Sequence, residues 1–325
     1  MATRHTALAG VVVTSMLAVT STFAAQQTFP TRPVRIVVGF SPGSATDITA
    51  RTIAPKLSDL WGQPVVIENR SGAGSTLANA MVAQATPDGH TLLMVSASFA
   101  ITAVIQKSLP YDAVRDFRGI TQIGASTSAL MVTPQLGVKS VKELIALANE
   151  RPGKILYAST GAGSGIHMTT ARFVILAGIN VGHVAFKGQP EMIVEIVTGR
   201  VHFGIPGLGP AMPFVKDGRL IPLAVVTPKR SPLLPDVPAM AEILPGYERD
   251  AAHALLAPAR TPKWIIQQVN KDVHRVLEDP EVKKRFASIG FELAPTTPEE
   301  YDAIIKKQMA IFTQVAKAAG LLGKQ

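Results

Sequence analysis

The chain has 325 residues, no cysteine, 32 basic against 23 acidic side chains and a formal net charge of +9. Without cysteine there is no thiol nucleophile, no thiolate metal site and no disulfide, which fits an oxidising compartment in which the core suffices. The basic residues are dispersed, with no cluster beyond groups such as Lys283-Lys284-Arg285 and no aromatic interleaving, which argues against nucleic acid and leaves a mild field that draws small anions.

The first 25 residues read as a secretory signal peptide: basic Arg4 and His5, an apolar stretch over 7–19, and a small-residue cleavage site at Thr22-Phe23-Ala24-Ala25. The apolar stretch is short for a membrane span, a retained anchor being the alternative. Signal removal takes Arg4 and no acid, so the net charge falls from +9 to +8. No later stretch is long and apolar, so an exported, soluble protein is expected. About 300 residues remain, enough for two lobes.

Residues 34–40 read as a strand, Ser41-Pro42-Gly43-Ser44 as a turn and 45–60 as a helix ending near Trp61-Gly62, where glycine is a C-cap signal. A strand at 65–69, a glycine-rich turn at 71–75 and a helix at 76–85 follow. Pro87-Asp88-Gly89-His90 turns the chain into a strand at 91–95. This alternation indicates βαβ units and a mainly parallel sheet. Strand signals at 119–124 and 129–133 flank Ala125-Ser126-Thr127-Ser128, where a first crossing between lobes is placed. A helix starts after Ser140, with Glu143 at capping-box spacing.

A strand, a glycine-rich loop and a helix recur over 154–172. Strands are then expected near 183–186, at 201–205 and at 220–226, with helices at 189–198 and 210–216. The proline-rich 227–246 holds a short helix at 239–244, and a strand at 252–257 returns the chain to the first lobe. The remainder is helical over 262–277, 281–288 and 298–319, with a strand-like 290–293. Thr297 is an N-cap, Pro298 sits at N1 and Glu299 and Glu300 lie in the first turn. Two crossings make a discontinuous domain: lobe one is 26–123 plus 253–325, lobe two is 124–252, and the ligand site is expected in the cleft.

Two stretches, 40–47 and 160–167, share one design. A strand, a glycine-rich turn and a helix start gather free N–H groups and the positive end of a helix dipole around a small concavity, which suits an anion. Both carry Thr-Ala-Arg shortly afterwards, at Thr49-Ala50-Arg51 and Thr170-Ala171-Arg172, and they read as equivalent lips of one cleft. A dinucleotide fingerprint fails, because Ile166 stands where the third glycine belongs and no acid occurs between Arg151 and Pro190. That acid-free stretch keeps Arg151, Lys154, Arg172 and Lys187. Asp47 has two open readings, a charge serving the helix dipole or a contact for a ligand ammonium or bridging water. Ser164, His167 and Asp47 invite a hydrolase reading, although G-x-S-x-G fails at Ala162. With no H-E-x-x-H and scattered histidines, no metal and no cofactor are expected.

Ordered segments extend the pattern over almost the whole mature chain. They are Arg35-Ile36-Val37-Val38-Gly39-Phe40 with Pro42-Gly43 and Asp47, then Gly62-Gln63-Pro64-Val65-Val66-Ile67-Glu68-Asn69-Arg70 with Gly72-Ala73-Gly74. Pro87-Asp88-Gly89-His90-Thr91-Leu92-Leu93 and Leu109-Pro110-Tyr111-Asp112 with Asp116-Phe117 come next. Tyr157-Ala158-Ser159, His167, Lys187-Gly188, Lys229-Arg230-Ser231, Leu234-Pro235-Asp236-Val237-Pro238 and Pro258-Ala259 with Thr261-Pro262 complete them. In this the chain resembles the Bug-type extracytoplasmic solute receptors, the binding components of tripartite tricarboxylate transporters.

The resemblance implies an α/β, two-lobe type II periplasmic-binding-protein fold with the ligand cleft between the lobes. It also implies a monomeric, non-enzymatic periplasmic protein that captures a small carboxylated anion and delivers it to integral-membrane permease subunits. The ligand carboxylate would be gripped, partly through water, by Phe40, Ser41, Pro42, Gly43, Ser44, Ala45, Thr46 and Asp47, and by Thr160, Gly161, Gly163, Ser164, Gly165 and His167. Ser96, Ser98, Lys187 and Pro206 would complete the site. Three residues depart from the family pattern: Ser44 replaces a second glycine, Phe186 replaces tyrosine, and Pro206-Gly207 replaces polar residues. The last change implies a ligand whose far end carries no ammonium, an aromatic or short aliphatic carboxylate rather than an amino acid. The rival reading is an exported serine-type hydrolase using Ser164 and His167.

Overall fold

Apolar strands, most of them four to six residues long, alternate with helices that bury one face, and the chain order decides which strands can pair. In the computed structural model, residues 28–227, 229–245, 247 and 252–322 are described; the expected signal peptide lies outside them. The chain begins with β1 (Val34–Val38), α1 (Ala45–Trp61), β2 (Val65–Asn69), α2 (Thr76–Ala83), β3 (Thr91–Val95), α3 (Ser98–Ile105) and β4 (Phe117–Ser126). It continues with β5 (Ala129–Val132), α4 (Val141–Glu150), β6 (Leu156–Ser159), α5 (Gly165–Ala177), β7 (Gly182–Ala185) and α6 (Gln189–Val197). Then come β8 (Phe203–Gly204), α7 (Leu208–Lys216), β9 (Ile221–Val225) and α8 (Met240–Ile243). The last elements are β10 (His253–Pro258), α9 (Lys263–Leu277), α10 (Pro280–Ser288), β11 (Phe291–Leu293) and α11 (Pro298–Ala318).

These strands form two sheets, ordered β11-β4-β10-β3-β1-β2 and β7-β6-β8-β5-β9. In the first, β2, β1 and β3 are parallel and β10 runs antiparallel to β3 and β4. In the second, β7, β6 and β8 are parallel and β5 runs antiparallel to β8 and β9. The two sheets therefore share one topology, with β1 and β6 as the equivalent middle strands of the parallel trios and β10 and β5 as equivalent antiparallel ones. The chain passes from the first sheet to the second between Ser126 and Ala129 and returns at His253. Each order reverses at β1 or β6, and at such switch points the turns part and leave a crevice outside the carboxyl ends of the strands.

Strand β1 is buried on both faces. Val34, Ile36 and Val38 join a core with α1, α9 and α10, while Val37 joins one with α2, α3 and α11, which explains the apolar run from Ile36 to Val38. The second core does not stop at its own lobe: Met168 and Ala171 of α5 pack into it with Ile101, Ile105, Phe312 and Val315. Lobe two thus rests against α3 and α11 of lobe one. Strand β8 is shorter than the expected 201–205. The Leu156 N–H donates to the imidazole Nδ1 of His202 at 2.9 Å rather than to a strand carbonyl, and the ladder stops there. Among the described residues no helix is long and apolar enough to cross a membrane.

Buried His253 on β10 shares a 2.7 Å hydrogen bond with Thr49 Oγ1 of α1, and burial holds its imidazole down to about 4. An unfolded histidine titrates near 6.5, so the stability this group confers is whole above that value and lost as pH falls toward 4. The loss is up to about 1.4 kcal/mol per pH unit. Urea midpoints measured from pH 7 to pH 4.5 should therefore fall, and His253→Gln should flatten part of that slope.

Candidate functional site

Register brings three helix starts to one edge of the first sheet. Val38 lies opposite Asn69 on one side and Met94 on the other, so the turns after β1, β2 and β3 leave side by side. They lead into α1, α2 and α3. The equivalent turn of lobe two follows β6 and leads into α5.

The two turns are near copies, bond for bond. The Ser44 N–H donates to Ser41 O and the Ser164 N–H to Gly161 O, both at 3.1 Å, which closes a tight turn in each. The third turn residue, Gly43 (φ 81) or Gly163 (φ 73), sits in the left-handed region that a side chain resists. Ser44 and Ser164 are then N-caps in extended conformation, their hydroxyls accepting from the Asp47 N–H at 3.3 Å and the His167 N–H at 3.2 Å. The side chain at that third helical position folds back: the Gly43 N–H donates to Asp47 Oδ2 at 2.9 Å and the Gly163 N–H to His167 Nδ1 at 2.8 Å. This leaves the N–H groups of Ala45, Thr46, Gly165 and Ile166 with no protein acceptor among the described residues.

Asp47 and His167 are therefore spent on the turns. Asp47 is buried, and its oxygens also accept from Arg51 Nε at 2.9–3.0 Å and Asn69 Nδ2 at 2.9 Å. Burial pushes this carboxyl up, but the bonds from Arg51, Gly43 and Asn69 outweigh it and hold it below its ordinary value. His167 presents Nε2 to Tyr157 Oη at 3.1 Å and stacks on His183 with ring centres 4.0 Å apart. Burial first, then the neighbouring His183, depresses it to about 4, so the ring is neutral at ordinary pH. The hydrolase reading fails on this geometry: both imidazole nitrogens are engaged elsewhere, and the Ser164 hydroxyl caps the His167 main-chain N–H. Ser164→Ala should cost about 1 kcal/mol of stability as a lost cap, read as a lower urea midpoint with an unchanged slope.

Electrostatics favour an anion at these turns. Helix α5 has no acid in its first turn, nor do α2 and α3, and the lone Asp47 of α1 is offset by Arg51. The positive helix ends are thus uncancelled. The Thr-Ala-Arg triplets, by contrast, are not equivalent. With the serine caps aligned, Arg51 falls on Ala171; Arg172 is buried instead, its guanidinium 5.3 Å from the centre of the Tyr247 ring.

The lobes meet at this site. A Cβ added at Gly165 would lie 3.8 Å from that of Ala97, and one at Gly163 would lie 2.3 Å from Ile105 Cδ1. The lobe-two turn therefore abuts both ends of α3. Ser96 and Ser98 stand there, half-buried, with hydroxyls 3.1 Å apart. Ser41, Pro42, Gly43 and Ala45 are exposed, Thr160, Gly161 and Ser164 half-buried and Thr46 buried. Phe40 packs partly into the first core, and its carbonyl accepts from Asn69 Nδ2 at 2.9 Å. Lys187 is exposed, and its N–H donates to Glu191 Oε2 at 3.0 Å. Pro206 departs from its expected role: it is buried, and its carbonyl accepts the Ala129 N–H at 3.2 Å, so it serves the sheet edge.

Asn69 and Ser75 are absent from the sequence-derived set. Asn69 ties the β1 turn to β2 through Phe40 and Asp47. Ser75 holds a left-handed φ of 74° without being glycine, with its hydroxyl 3.3 Å from that of Ser98, and such strain collects at ligand sites. A signal for it existed in Gly72-Ala73-Gly74-Ser75, a further glycine-rich turn between a strand and a helix.

The family model for the tripartite tricarboxylate transporter family receptor matches residues 49–321. The chain belongs to this family. Its curated relatives include a UPF0065 protein of Bordetella bronchiseptica, 32% identical over 94% of this chain and 91% of the relative. BugT of Bordetella pertussis is 31% identical over 90% and 91%. Among solved structures, R. palustris Rpa4515 with adipate superposes with a TM-score of 0.79 at 34% identity, covering 90% of this chain and 98% of that one. The MatC protein of Rhodopseudomonas palustris with bound malate gives 0.75 at 28%, covering 88% and 99%. The receptor's mixed α/β architecture with two sheets matches these neighbours, as the sequence resemblance implied.

Proposed function

We propose that this receptor is a periplasmic protein that captures a small organic carboxylate between its lobes and presents the closed form to integral-membrane permease subunits. One observation carries the reading: α1 and α5, one per lobe, start with the same serine-capped turn, each leaves two N–H groups unclaimed among the described residues, and the α5 turn lies against α3 of the other lobe. A carboxylate bridging the two sets favours the closed form, since that form alone makes both sets of contacts. Each charge-assisted hydrogen bond contributes about 1.5–3 kcal/mol, and a few suffice for micromolar affinity. The receptor acts as a monomer and binds without turnover.

The ligand-bound relatives support the substrate class, since one carries adipate and another malate. For this chain we favour a carboxylate without an ammonium at its far end, because the resemblance leads one to expect polar side chains at 206–207, where this chain has a buried Pro206 and a Gly207 without a side chain. We place the lobe division between Ser126 and Ala129, slightly beyond the expected boundary after Ile123, because β11 pairs with β4 as far as Ser126.

Thermal shift followed by calorimetry against adipate, malate, benzoate, aspartate and glutamate tests the reading. A saturable shift with adipate, malate or benzoate, and ligand recovered unchanged, is the expected outcome. Tight binding of aspartate or glutamate alone would overturn the assignment of the far end. Silence across the panel would overturn the carboxylate reading.

A further inference from the structure

Five helix starts in this chain hold their preceding backbone with an acid. Asp47 accepts from Gly43, Glu143 from Lys139, Glu191 from Lys187, Glu242 from Ala239 and Glu300 from Thr297. Helix α5 does the same job with an imidazole, since the Gly163 N–H donates to His167 Nδ1 at 2.8 Å. The difference has a chemical consequence. A carboxylate accepts throughout the neutral and mildly acidic range, whereas an imidazole nitrogen accepts only while it carries no proton.

We propose that His167 is a positioning residue whose neutral form alone holds the lobe-two turn, so that a proton on Nδ1 and a formed anion loop exclude each other. With Nδ1 accepting, the ring proton sits on Nε2 and is directed at Tyr157 Oη 3.1 Å away. A second proton would set an N–H at Nδ1 against the Gly163 N–H, two donors at hydrogen-bond distance, and the turn has to give way. The groups facing the ring do not rescue the imidazolium. On β6, Tyr157 is pushed up to about 12 by burial and stays neutral. On β7, His183 is stacked 4.0 Å away and would repel the added charge. The nearest cation on α5 itself, Arg172, lies over the Tyr247 ring. Burial keeps the half-protonation of His167 near 4, so the lobe-two turn loosens on mild acidification, before the turn that Asp47 holds.

The inference rests on the reading of 160–167 as a ligand loop, but its first test needs no ligand. In two-dimensional amide NMR of the free receptor from pH 7 to pH 4, the Gly163 N–H should shift with the His167 titration, while the Gly43 N–H stays put. His167→Asn offers an oxygen in place of Nδ1 and should abolish the Gly163 shift. A Gly163 resonance indifferent to pH, or one that still moves in His167→Asn, would overturn the proposal. Adipate and malate affinities, taken as the ratio of the parent to His167→Asn, cancel the ligands' own protonation. That ratio should fall about twofold at half-protonation, where half the molecules are competent. A flat or rising ratio would equally overturn it. Absence of any binding with the NMR shift intact would instead count against the carboxylate reading alone.

Discussion

Asp47→Ala should weaken carboxylate binding at least tenfold and lower stability by about 2–3 kcal/mol. The carboxylate is 2% exposed and accepts four contacts from three partners, Gly43, Arg51 and Asn69. The Arg51 pair contributes little of the cost, since its guanidinium is half-exposed and re-enters water readily. The cost comes from the Asn69 Nδ2 amide, which keeps only the Phe40 carbonyl, and from the Gly43 N–H, whose turn loses its hold; hydrogen bonds to a charged acceptor contribute about 1.5–3 kcal/mol each. A tenfold change in affinity is about 1.4 kcal/mol, less than the loop stands to lose. Calorimetry and urea unfolding read the two effects separately. Asp47→Asn, which keeps one oxygen for Gly43, should fall between. If Asp47→Ala binds as the parent does, the turn is not held by this carboxylate in any way that matters to the ligand.

Gly163→Ala should lower affinity by tenfold or more while leaving a folded protein. Two effects combine there. Alanine at a φ of 73° costs about 1–2 kcal/mol, and its Cβ would meet Ile105 Cδ1 of the other lobe at 2.3 Å. Gly43→Ala is the matched control: its φ is 81°, but nothing lies within 4 Å of an added Cβ. Strain alone would make the two variants equal. Contact across the lobes makes Gly163→Ala worse for binding and yields a larger radius in solution scattering. Ile105→Val removes the offending methyl, and the double variant should recover binding without recovering the strain. Equal losses at Gly43 and Gly163, with no rescue from Ile105→Val, would mean that the lobe contact plays no part in capture.

Where the sequence was legible, the signals were local. Gly62 closes α1 at a φ of 62°, Ser140 and Thr297 cap α4 and α11, and the strand–turn–helix units at 40–47 and 160–167 lie where their patterns placed them. The ordered segments identified the family, and with it the architecture. The candidate site was legible as two loops but not as a set of contacts. Thr-Ala-Arg looked like a shared feature, yet the caps align one residue out of step with it. Pro206 reads as a cleft residue and is buried, while Ser75 lies in a glycine-rich turn that is legible, although the left-handed φ that Ser75 itself takes is not.

The sequence by itself determined the helix starts, the glycine turns and the acid-free surroundings of α5, because caps and turns are settled by partners within about four residues. Only the tertiary structure decided that Asp47 and His167 face inward, that Asn69 and Tyr157 receive them, and that Met168 and Gly163 press lobe two onto α3. These depend on residues such as Asn69, 22 positions from Asp47, and on helices from opposite ends of the chain. A side chain's direction follows from what is packed against it, and that packing exists only once the two sheets have been assembled.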